Sequence, residues 1–340
     1  MLFASPSLTL TYRNSRGRVA VLGFNTPFVI TAGGGQENHV NNVHGIPSPG
    51  RHGESGGSMR MDRRQIRLSG EVRGSMISSE TAREILHEAF NPTLPGTLTS
   101  FNSQTRVWRE IDVVLDELPI VEWSPAKKCL VFEIMLVAKS PPFWRGNPLV
   151  VNIAQTMKKW SFPMAFPQRG STLEGMIFGL RHDTLETRFD NMGNVDSGFT
   201  ATFRARGGTV VNPSIRNEEN PLQQIRINYT MEPNDVIVIE NYQHLKTITL
   251  NGESAFHLLD ASETRFFLIQ VGRNRIGYRA DENTSNLQVR VRYTPEYTYV
   301  GGYDPVSMMA SPYLAENPRV GELVENEETG LLVSRMIPRE

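Results

Sequence analysis

One glycine-rich stretch contains the string of residues that most resembles a catalytic motif. Gly53-Glu54-Ser55-Gly56-Gly57 is close to the Gly-Asp-Ser-Gly-Gly string around the nucleophile of trypsin-like proteases. That chemistry needs a histidine base and a buried aspartate, which two β-barrels hold beside a serine late in the domain. Here the serine comes early, and no barrel precedes it. We interpret the string as a chance match and predict no catalytic residue.

Three histidines in the same stretch are of a residue type that binds metals, but no other ligand residue accompanies them. His39, His44 and His52 carry imidazoles that could bind zinc or copper. No cysteine, aspartate or glutamate joins them at ligand spacing, and the stretch has little to preorganise them. We therefore predict no metal site and no cofactor. Phosphate-binding glycine loops and His-Glu-x-x-His are also absent from the sequence.

A basic cluster could bind phosphate groups. Its members are Arg60, Arg63, Arg64, Arg67 and Arg73. Arg67 and Arg73 fall on the polar face of a predicted strand, where acidic residues are interleaved with them. This pattern favours a solvated or subunit-facing sheet surface over a nucleic-acid site. A carboxylate pair for glycoside hydrolysis stays open, because nothing in the sequence selects one.

Composition is that of an ordinary globular protein with two domains. The chain has 340 residues, 39% hydrophobic and 21% charged, with a net charge of −1. This balance gives no global field for nucleic acid or an anionic membrane. The single cysteine, Cys129, excludes an internal disulfide, and we expect it to be a small core residue. We expect no signal peptide and no membrane insertion.

Alternation of apolar and polar residues predicts a mainly β fold. In Gln65 to Gly74, Ile66, Leu68 and Val72 share one face. The same period of two recurs at 130–136, 225–229 and 287–293. A hairpin is predicted from 236–239 and 247–250, with a turn at Asn251-Gly252.

One segment has helical spacing instead. Between Ser79 and Phe90, apolar residues recur at intervals of three and four. Ser78 or Ser79 can cap the first turn, and Asn91-Pro92 ends the segment. We expect one helix packed on a sheet in the first half.

Two stretches are predicted to be irregular. Gly33 to Ser58 is rich in glycine and lacks apolar periodicity, which is typical of a long functional loop. Gly301 to Glu340 is rich in proline and glutamate, and only Gly330 to Ile337 looks strand-like. A domain boundary is predicted near Ser140-Pro141-Pro142-Phe143-Trp144, because the last predicted strand of the first half ends there and two consecutive prolines stiffen the chain that follows it.

The order of the loop, strands and helix predicted in the first half resembles that of the N-terminal domain of siphophage distal tail proteins. A long loop precedes the strand of Arg64 to Val72, and a helix ends at Phe90-Asn91-Pro92. Gly96-Thr97-Leu98-Thr99 and the extended Arg106 to Leu115 follow. The first half ends at Pro142-Phe143-Trp144, which resembles the Pro-Phe-Trp end of the family's N-terminal domain.

The second half continues the likeness. Phe162 to Pro167 is similar to the family's Phe-Pro opening, and Asn212 to Asn217 resembles its Asn-Pro-x-Ile-x-Asn strand. The runs 258–260, 266–268, 272–274 and 289–293 match its last hairpins in order. The resemblance covers about residues 10 to 300. It departs at Arg181 to Asn194 and in the 40 residues after Val300.

This resemblance implies a split-barrel, tail-tube-like N-terminal domain with one α-helix and a galectin-like β-sandwich C-terminal domain. We assign 1–145 to the ring-forming domain, 146–300 to the sandwich and 301–340 to an extension. The implied function is a structural hub, a homo-hexameric ring at the distal tail tip of the virion that leaves a channel for DNA. The Gly33 to Ser58 loop matches the family's loop that overlaps the neighbouring subunit.

The implied partners are the other parts of a phage tail. They are the tail tube protein, a tail-associated hub or lysin protein, and receptor-binding or fibre proteins, with DNA only as passing cargo and assembly in the host cytoplasm. The alternative is a carbohydrate-binding module that attaches the tail to cell-wall glycans. Such a module needs aromatic and polar groups on one sheet face, and Trp160 and Tyr242 are the candidate aromatic residues.

Overall fold

The computed structural model describes residues 7–34, 61–153 and 185–301 in full. It gives the backbone alone for strand residues 41–47, 54–60, 155–158, 179–182, 323–325 and 332–334. The chain forms two compact units. Unit 1 comprises Met1–Asn147 and the chain from Glu296 onward, and unit 2 comprises Pro148–Pro295.

Unit 1 begins with eleven strands and one helix. The strands are β1 Leu8–Asn14, β2 Val19–Gly23, β3 Phe28–Gly34, β4 Asn41–Pro47, β5 Glu54–Met61, β6 Arg64–Val72, β7 Gly96–Asn102, β8 Val107–Leu115, β9 Ile120–Ser124, β10 Cys129–Ala138 and β11 Trp144–Arg145, and helix α1 is Ser79–Ala89.

Seven of these strands close into a barrel. Their order is β8-β7-β1-β2-β3-β6-β10, and β10 pairs back onto β8 through Leu136↔Leu115 and Val137↔Val114. All neighbours are antiparallel except β2 and β3, which meet in parallel at Leu22↔Phe28 alone. Closure removes most free strand edges. Strand β9 adds to the outside of β10, and β11 adds to β8.

The barrel core is built from the predicted alternation. Ile66, Leu68 and Val72 of β6 are buried, as are the even-numbered residues from Leu130 to Leu136 of β10. This confirms the period-two prediction for both strands. Cys129 differs from its prediction. It starts β10 on the opposite face from Leu130 and is only half-buried.

The predicted helix is confirmed, with its cap. The Thr81 amide donates to Ser78 Oγ at 3.2 Å, and the apolar face buries Ala82, Leu86 and Ala89. Phe90, just past the helix, stacks on Tyr12 of β1 with ring centroids 4.4 Å apart. The helix is thereby fixed to the barrel core.

The described part of the Gly33 to Ser58 stretch is β-strand, where the sequence had predicted an irregular loop. It contains the end of β3 and most of a hairpin, because β4 and β5 pair antiparallel from Asn41↔Met61 to Pro47↔Glu54. The register shifts at Gly45/Ile46, and glycine tolerates such a bulge. Periodicity missed the hairpin because backbone pairing does not require alternating apolar side chains.

Unit 2 contains the next fourteen strands. They are β12 Leu149–Asn152, β13 Gln155–Lys158, β14 Gly179–His182, β15 Glu186–Asn191, β16 Phe199–Ala205, β17 Val210–Val211, β18 Ser214–Asn217, β19 Gln224–Arg226, β20 Thr230–Met231, β21 Val236–Asn241, β22 Lys246–Leu250, β23 Glu253–Ser254, β24 Gly272–Arg279 and β25 Leu287–Tyr293, with 3-10 helices Phe256–Leu258 and Thr284–Asn286.

Two sheets of unit 2 form a β-sandwich around one core. One has the order β12-β25-β16-β21-β22-β23 and the other β15-β24-β18-β19. Phe199 and Val291 from the first sheet share a core with Ile215 and Tyr278 from the second. Tyr293 also links the two sheets, since its hydroxyl donates to the carbonyl of Asp190 at 3.0 Å.

The predicted hairpin of unit 2 is confirmed. β21 pairs with β22 through Ile239↔Ile248 and its neighbours. Asn251 and Gly252, with φ of 53° and 91°, form the turn that leads from β22 into β23. Positive φ at both positions is what Asn-Gly turns provide.

The chain returns to unit 1 after the sandwich. The last strands are β26 Glu296–Tyr297, β27 Leu323–Glu325 and β28 Leu332–Ser334. β26 pairs with β11 through Trp144↔Tyr297 and Arg145↔Glu296. The expected second domain ended at residue 300, but residues 296–300 pack on the first. Unit 2 is therefore an insertion in the chain of unit 1.

Candidate assembly surfaces and a polar cleft

Residues 54–57 of the protease-like string lie on β5. The pairing of β4 with β5 puts Ser55 opposite Ile46, and His44 opposite Ser58. His39 and His52 lie outside the described residues. In the part of the chain that the structure describes, no group of three or more His, Cys, Asp or Glu residues could hold a metal ion.

The predicted basic cluster is dispersed. Arg67 pairs with Glu133 across the sheet at 3.2 Å. Arg73 lies over the ring of Phe24, 5.2 Å from its centroid. Arg64 is 1% exposed, so the cluster is not one continuous basic surface.

Arg64 instead connects two segments of unit 1 that lie far apart in the sequence, those of Pro142 and Thr298. Its Nε donates to the carbonyl of Pro142 at 2.8 Å, and its Nη2 donates to the carbonyl of Thr298 at 2.7 Å. The planar guanidinium suits this double contact, since its donors are fixed in a fork. Burial lowers the pKa of Arg64 to about 10. Sequence reasoning missed this role because Arg64 stands at a strand start among other arginines.

A second set of charges surrounds the returning strand. Arg145 of β11 contacts Asp112 at 2.8 Å and Glu110 at 3.4 Å. Glu296 stands opposite Arg145 in the ladder. Burial raises the pKa of Glu296 to about 7, and the Arg145 guanidinium partly offsets that effect. The β11–β26 pair therefore carries a carboxyl that titrates near neutral pH.

The hairpin of β4 and β5 has the connectivity of an arm. β3 and β6 pair within the barrel, and the hairpin is the link between them, so its two strands leave from the same end of that pair. Among the described strands, β4 and β5 pair only with each other. We call the hairpin β4–β5 the arm. A two-stranded ribbon by itself is marginally stable in water.

The edge strand β9 exposes large apolar side chains. Leu118, just before it, is 64% exposed, and Ile120 and Trp123 are 49% and 56% exposed. Among the described strands, β9 pairs with β10 alone. Arg83 of α1 donates to the carbonyl of Val121 at 3.0 Å. We call the segment 118–123 the β9 edge. An exposed apolar edge is an aggregation hazard unless another surface covers it.

Unit 2 contains a cleft of about 360 Å³ whose lining is rich in amides. Its lining residues are Asp196, Gln223, Asn241, Gln243, Lys246, Phe266, Phe267, Leu268 and Gln270. They come from the end of β21, the start of β22 and the loops before β16, β19 and β24. Four amide side chains, one carboxylate and one ammonium thus surround a small volume.

Asn241 is the buried polar group of this cleft. It is 1% exposed, and its Nδ2 donates to the carbonyl of Phe267. Its Oδ1 accepts no hydrogen bond from the described protein atoms. Leaving a buried acceptor unsatisfied costs about 1–3 kcal/mol, so a donor to this oxygen would stabilise unit 2.

The aromatic residues proposed from the sequence for sugar binding are Trp160 and Tyr242. The Tyr242 hydroxyl is 2.9 Å from Thr200 Oγ1, and its ring packs against Gly198, where a Cβ would clash with it. Tyr242 is not among the residues that line the cleft. Trp160 and the segment Phe162 to Pro167 lie outside the described residues. Phe266 lines the cleft instead, and Lys246 Nζ is 5.4 Å from its ring centroid.

Within the described residues the chain is mainly β, with a barrel, one α-helix and an inserted sandwich. Residues 192–297 match the family model described as siphovirus-type tail component, C-terminal domain. The resemblance drawn from the sequence is therefore confirmed. No curated protein matches the chain.

Solved structures of phage tail proteins are similar to the chain. The Dit protein of phage SPP1, described as a hub of the adsorption apparatus in phages that infect Gram-positive bacteria, is 8% identical, with a TM-score of 0.58. The match covers 84% of this chain and 98% of that one. Two structures of the phage p2 baseplate in its activated conformation, with Ca and with Sr, are 15% and 14% identical, with TM-scores of 0.44 and 0.43. Each covers 86% of this chain and 99% of the other.

No helix within the described residues is long and apolar enough to cross a membrane.

Proposed function

We propose that this chain is a structural hub of a siphophage tail tip, in which six copies close into a ring. The ring joins the tail tube to the proteins of the tip and leaves a channel for DNA. The distal-tail fold and the match of residues 192–297 support this proposal. The chain would be located at the distal end of the virion tail, after assembly in the host cytoplasm.

The observation that carries the proposal is the arm. The closed barrel offers few free edges, yet a hairpin extends the β3–β6 pair and pairs with no other described strand. The arm strands, β4 of seven residues and β5 of eight, span roughly 24–27 Å at the usual rise per residue. A ribbon of this length gains stability when a neighbouring copy covers it.

The β9 edge supplies the complementary kind of surface. A ring needs two different patches on each copy, because head-to-tail contacts repeat until the rotation closes. The arm and the β9 edge are different patches of unit 1. Each copy can therefore offer one patch to the preceding neighbour and the other to the following neighbour.

The remaining partners follow from this position. The tail tube protein would bind one face of the ring, and a tail-associated hub or lysin protein would bind the other. Receptor-binding or fibre proteins would bind unit 2, whose fold we expect to be galectin-like. DNA would pass through the channel without specific contacts.

Removal of the arm tests the proposal. A variant in which a short Gly-Ser turn joins Gly34 to Arg64 keeps the β3–β6 pair and lacks the arm. We expect the full chain to sediment as a hexamer and the variant as a monomer that still unfolds cooperatively on heating. A hexamer without the arm would contradict the role of the arm, and a monomeric full chain at high concentration would contradict the ring.

A second candidate function is carbohydrate binding by unit 2. One observation favours it, namely the amide-lined cleft with its unsatisfied acceptor at Asn241. Such binding would add attachment to cell-wall glycans to the structural role. It does not require that the ring form.

A further inference from the structure

We propose that the cleft of unit 2 binds a neutral saccharide through the side chains of Asn241, Gln243 and Gln270. This deepens the second candidate function by naming its site and ligand class. The site lies wholly within unit 2 and is independent of the arm and the β9 edge.

The polar groups of the cleft suit hydroxyl groups. Amide side chains both donate and accept hydrogen bonds, as sugar hydroxyls do. Gln243 and Gln270 are exposed, and their side chains make no hydrogen bond to the described protein atoms. Asn241 adds a buried acceptor that no described protein atom satisfies. Two exposed amide side chains and one buried acceptor thus line one cleft with groups that can bind hydroxyls.

The walls of the cleft are fixed by contacts of their own. The Val271 amide donates to Asp196 Oδ1 at 3.0 Å, and Asn217 Nδ2 donates to Gln223 Oε1 at 2.9 Å. The backbone N–H of Gln270 donates to Asn274 Oδ1, and the backbone carbonyl of Gln270 accepts from Asn274 Nδ2. These bonds hold the backbone while leaving the Gln270 side chain available.

The charge of the cleft favours a neutral ligand. Asp196 and Lys246 are its charged lining residues and have opposite signs. An anionic polymer would meet one ammonium and one carboxylate, with no net attraction. Phe266 and Leu268 add apolar surface, against which the C–H groups of a sugar ring can pack. The lining thus fits an uncharged polyhydroxyl compound better than a phosphate-bearing one.

Saturation-transfer NMR on the full chain tests this site. The probes are methyl β-D-galactoside, methyl α-D-glucoside, N-acetylglucosamine and L-rhamnose, with glycerol phosphate as the anionic comparison. We expect at least one sugar to receive saturation from the protein. The double variant Gln243→Ala/Gln270→Ala should raise its Kd about tenfold through the loss of two hydrogen bonds. Both residues are exposed, so this variant is expected to fold.

Gln104→Ala is the matched control, since Gln104 is an exposed glutamine of unit 1. Loss of binding in the double variant with retention in the control supports the site. No binding of any sugar, binding that the double variant retains, or binding of glycerol phosphate alone would overturn it. Sedimentation of the same samples reports the ring separately, so failure of the sugar site is distinct from failure of the hub.

Discussion

The guanidinium of Arg109 lies directly over the ring of Tyr297, with Cζ 3.6 Å from the ring centroid. Arg109 belongs to β8 and Tyr297 to β26, so the contact joins the barrel to the chain that returns from unit 2. Both residues are buried. A desolvated cation–π contact of this kind contributes about 2 kcal/mol. Together with Arg64, it makes residues 296–298 a structural part of unit 1.

Replacing Tyr297 with leucine should destabilise unit 1. The substitution keeps an apolar side chain but removes the ring that faces the buried Arg109. We expect a loss of about 2 kcal/mol in the free energy of unfolding, measured by urea denaturation. Tyr299→Leu, at a partly exposed position two residues away, is the control and should change stability by less than about 0.5 kcal/mol. Equal losses in both variants would contradict the role of the Arg109 contact.

Glu296 should make stability depend on pH near neutrality. Its pKa is raised from 4.5 to about 7, so the folded protein holds this proton more tightly than the unfolded chain does. The stabilisation is complete below pH 4.5 and is lost as pH rises through 7.

Glu296→Gln keeps the neutral form at every pH. We expect its Tm to exceed that of the unmodified chain at about pH 8 and to match it at about pH 4. Glu122→Gln, an exposed carboxyl-to-amide change in the same unit, is the control. The explanation fails if the Tm difference for Glu296→Gln is the same at both pH values.

Gly70 should not tolerate a side chain. A Cβ at this position of β6 would overlap both the ring of Phe132 and the carbonyl oxygen of Val29. Backbone on one side and a packed ring on the other leave no room for adjustment. We expect Gly70→Ala to lower the free energy of unfolding by about 1–3 kcal/mol. Gly74→Ala, where nothing lies within 4 Å of the added carbon, is the matched control and should be nearly neutral in thermal denaturation.

The β9 edge should be needed for assembly but not for folding. Ile120 and Trp123 are about half exposed, so Ile120→Lys/Trp123→Lys should leave the Tm within a few degrees of the original. The two charges should block the contact between copies, and light scattering should then report monomers. Leu222→Lys, at a 79% exposed position of unit 2, is the control and should leave the ring intact. Intact rings in the double variant would remove β9 from the interface.

Regular elements were predictable because their signals are local. The capped helix at Ser79–Ala89 and the alternating strands β6, β10 and β25 follow from side-chain periodicity. The arm was not predictable, because a glycine-rich ribbon is held by backbone bonds and has no apolar stripe. The packing of residues 296–300 on unit 1 was also hidden, since strand pairing across about 150 residues leaves no local trace.

The candidate surfaces were predictable only in part. The family resemblance pointed to the first half and to the Gly33 to Ser58 stretch, but it did not indicate the β9 edge. Leu118, Ile120 and Trp123 are ordinary strand residues by type, and only their exposure marks them. The Asn241 acceptor was likewise invisible, because an unsatisfied atom is defined by its surroundings. The absence of catalysis and of cofactors stays a prediction.

The most direct measurement is negative-stain imaging of the purified full-length chain, with mass photometry of the same sample. The account predicts six-fold rings with a central hole and a mass six times that of the chain. A population of monomers alone, persisting at high protein concentration and with folded barrels by circular dichroism, would contradict it.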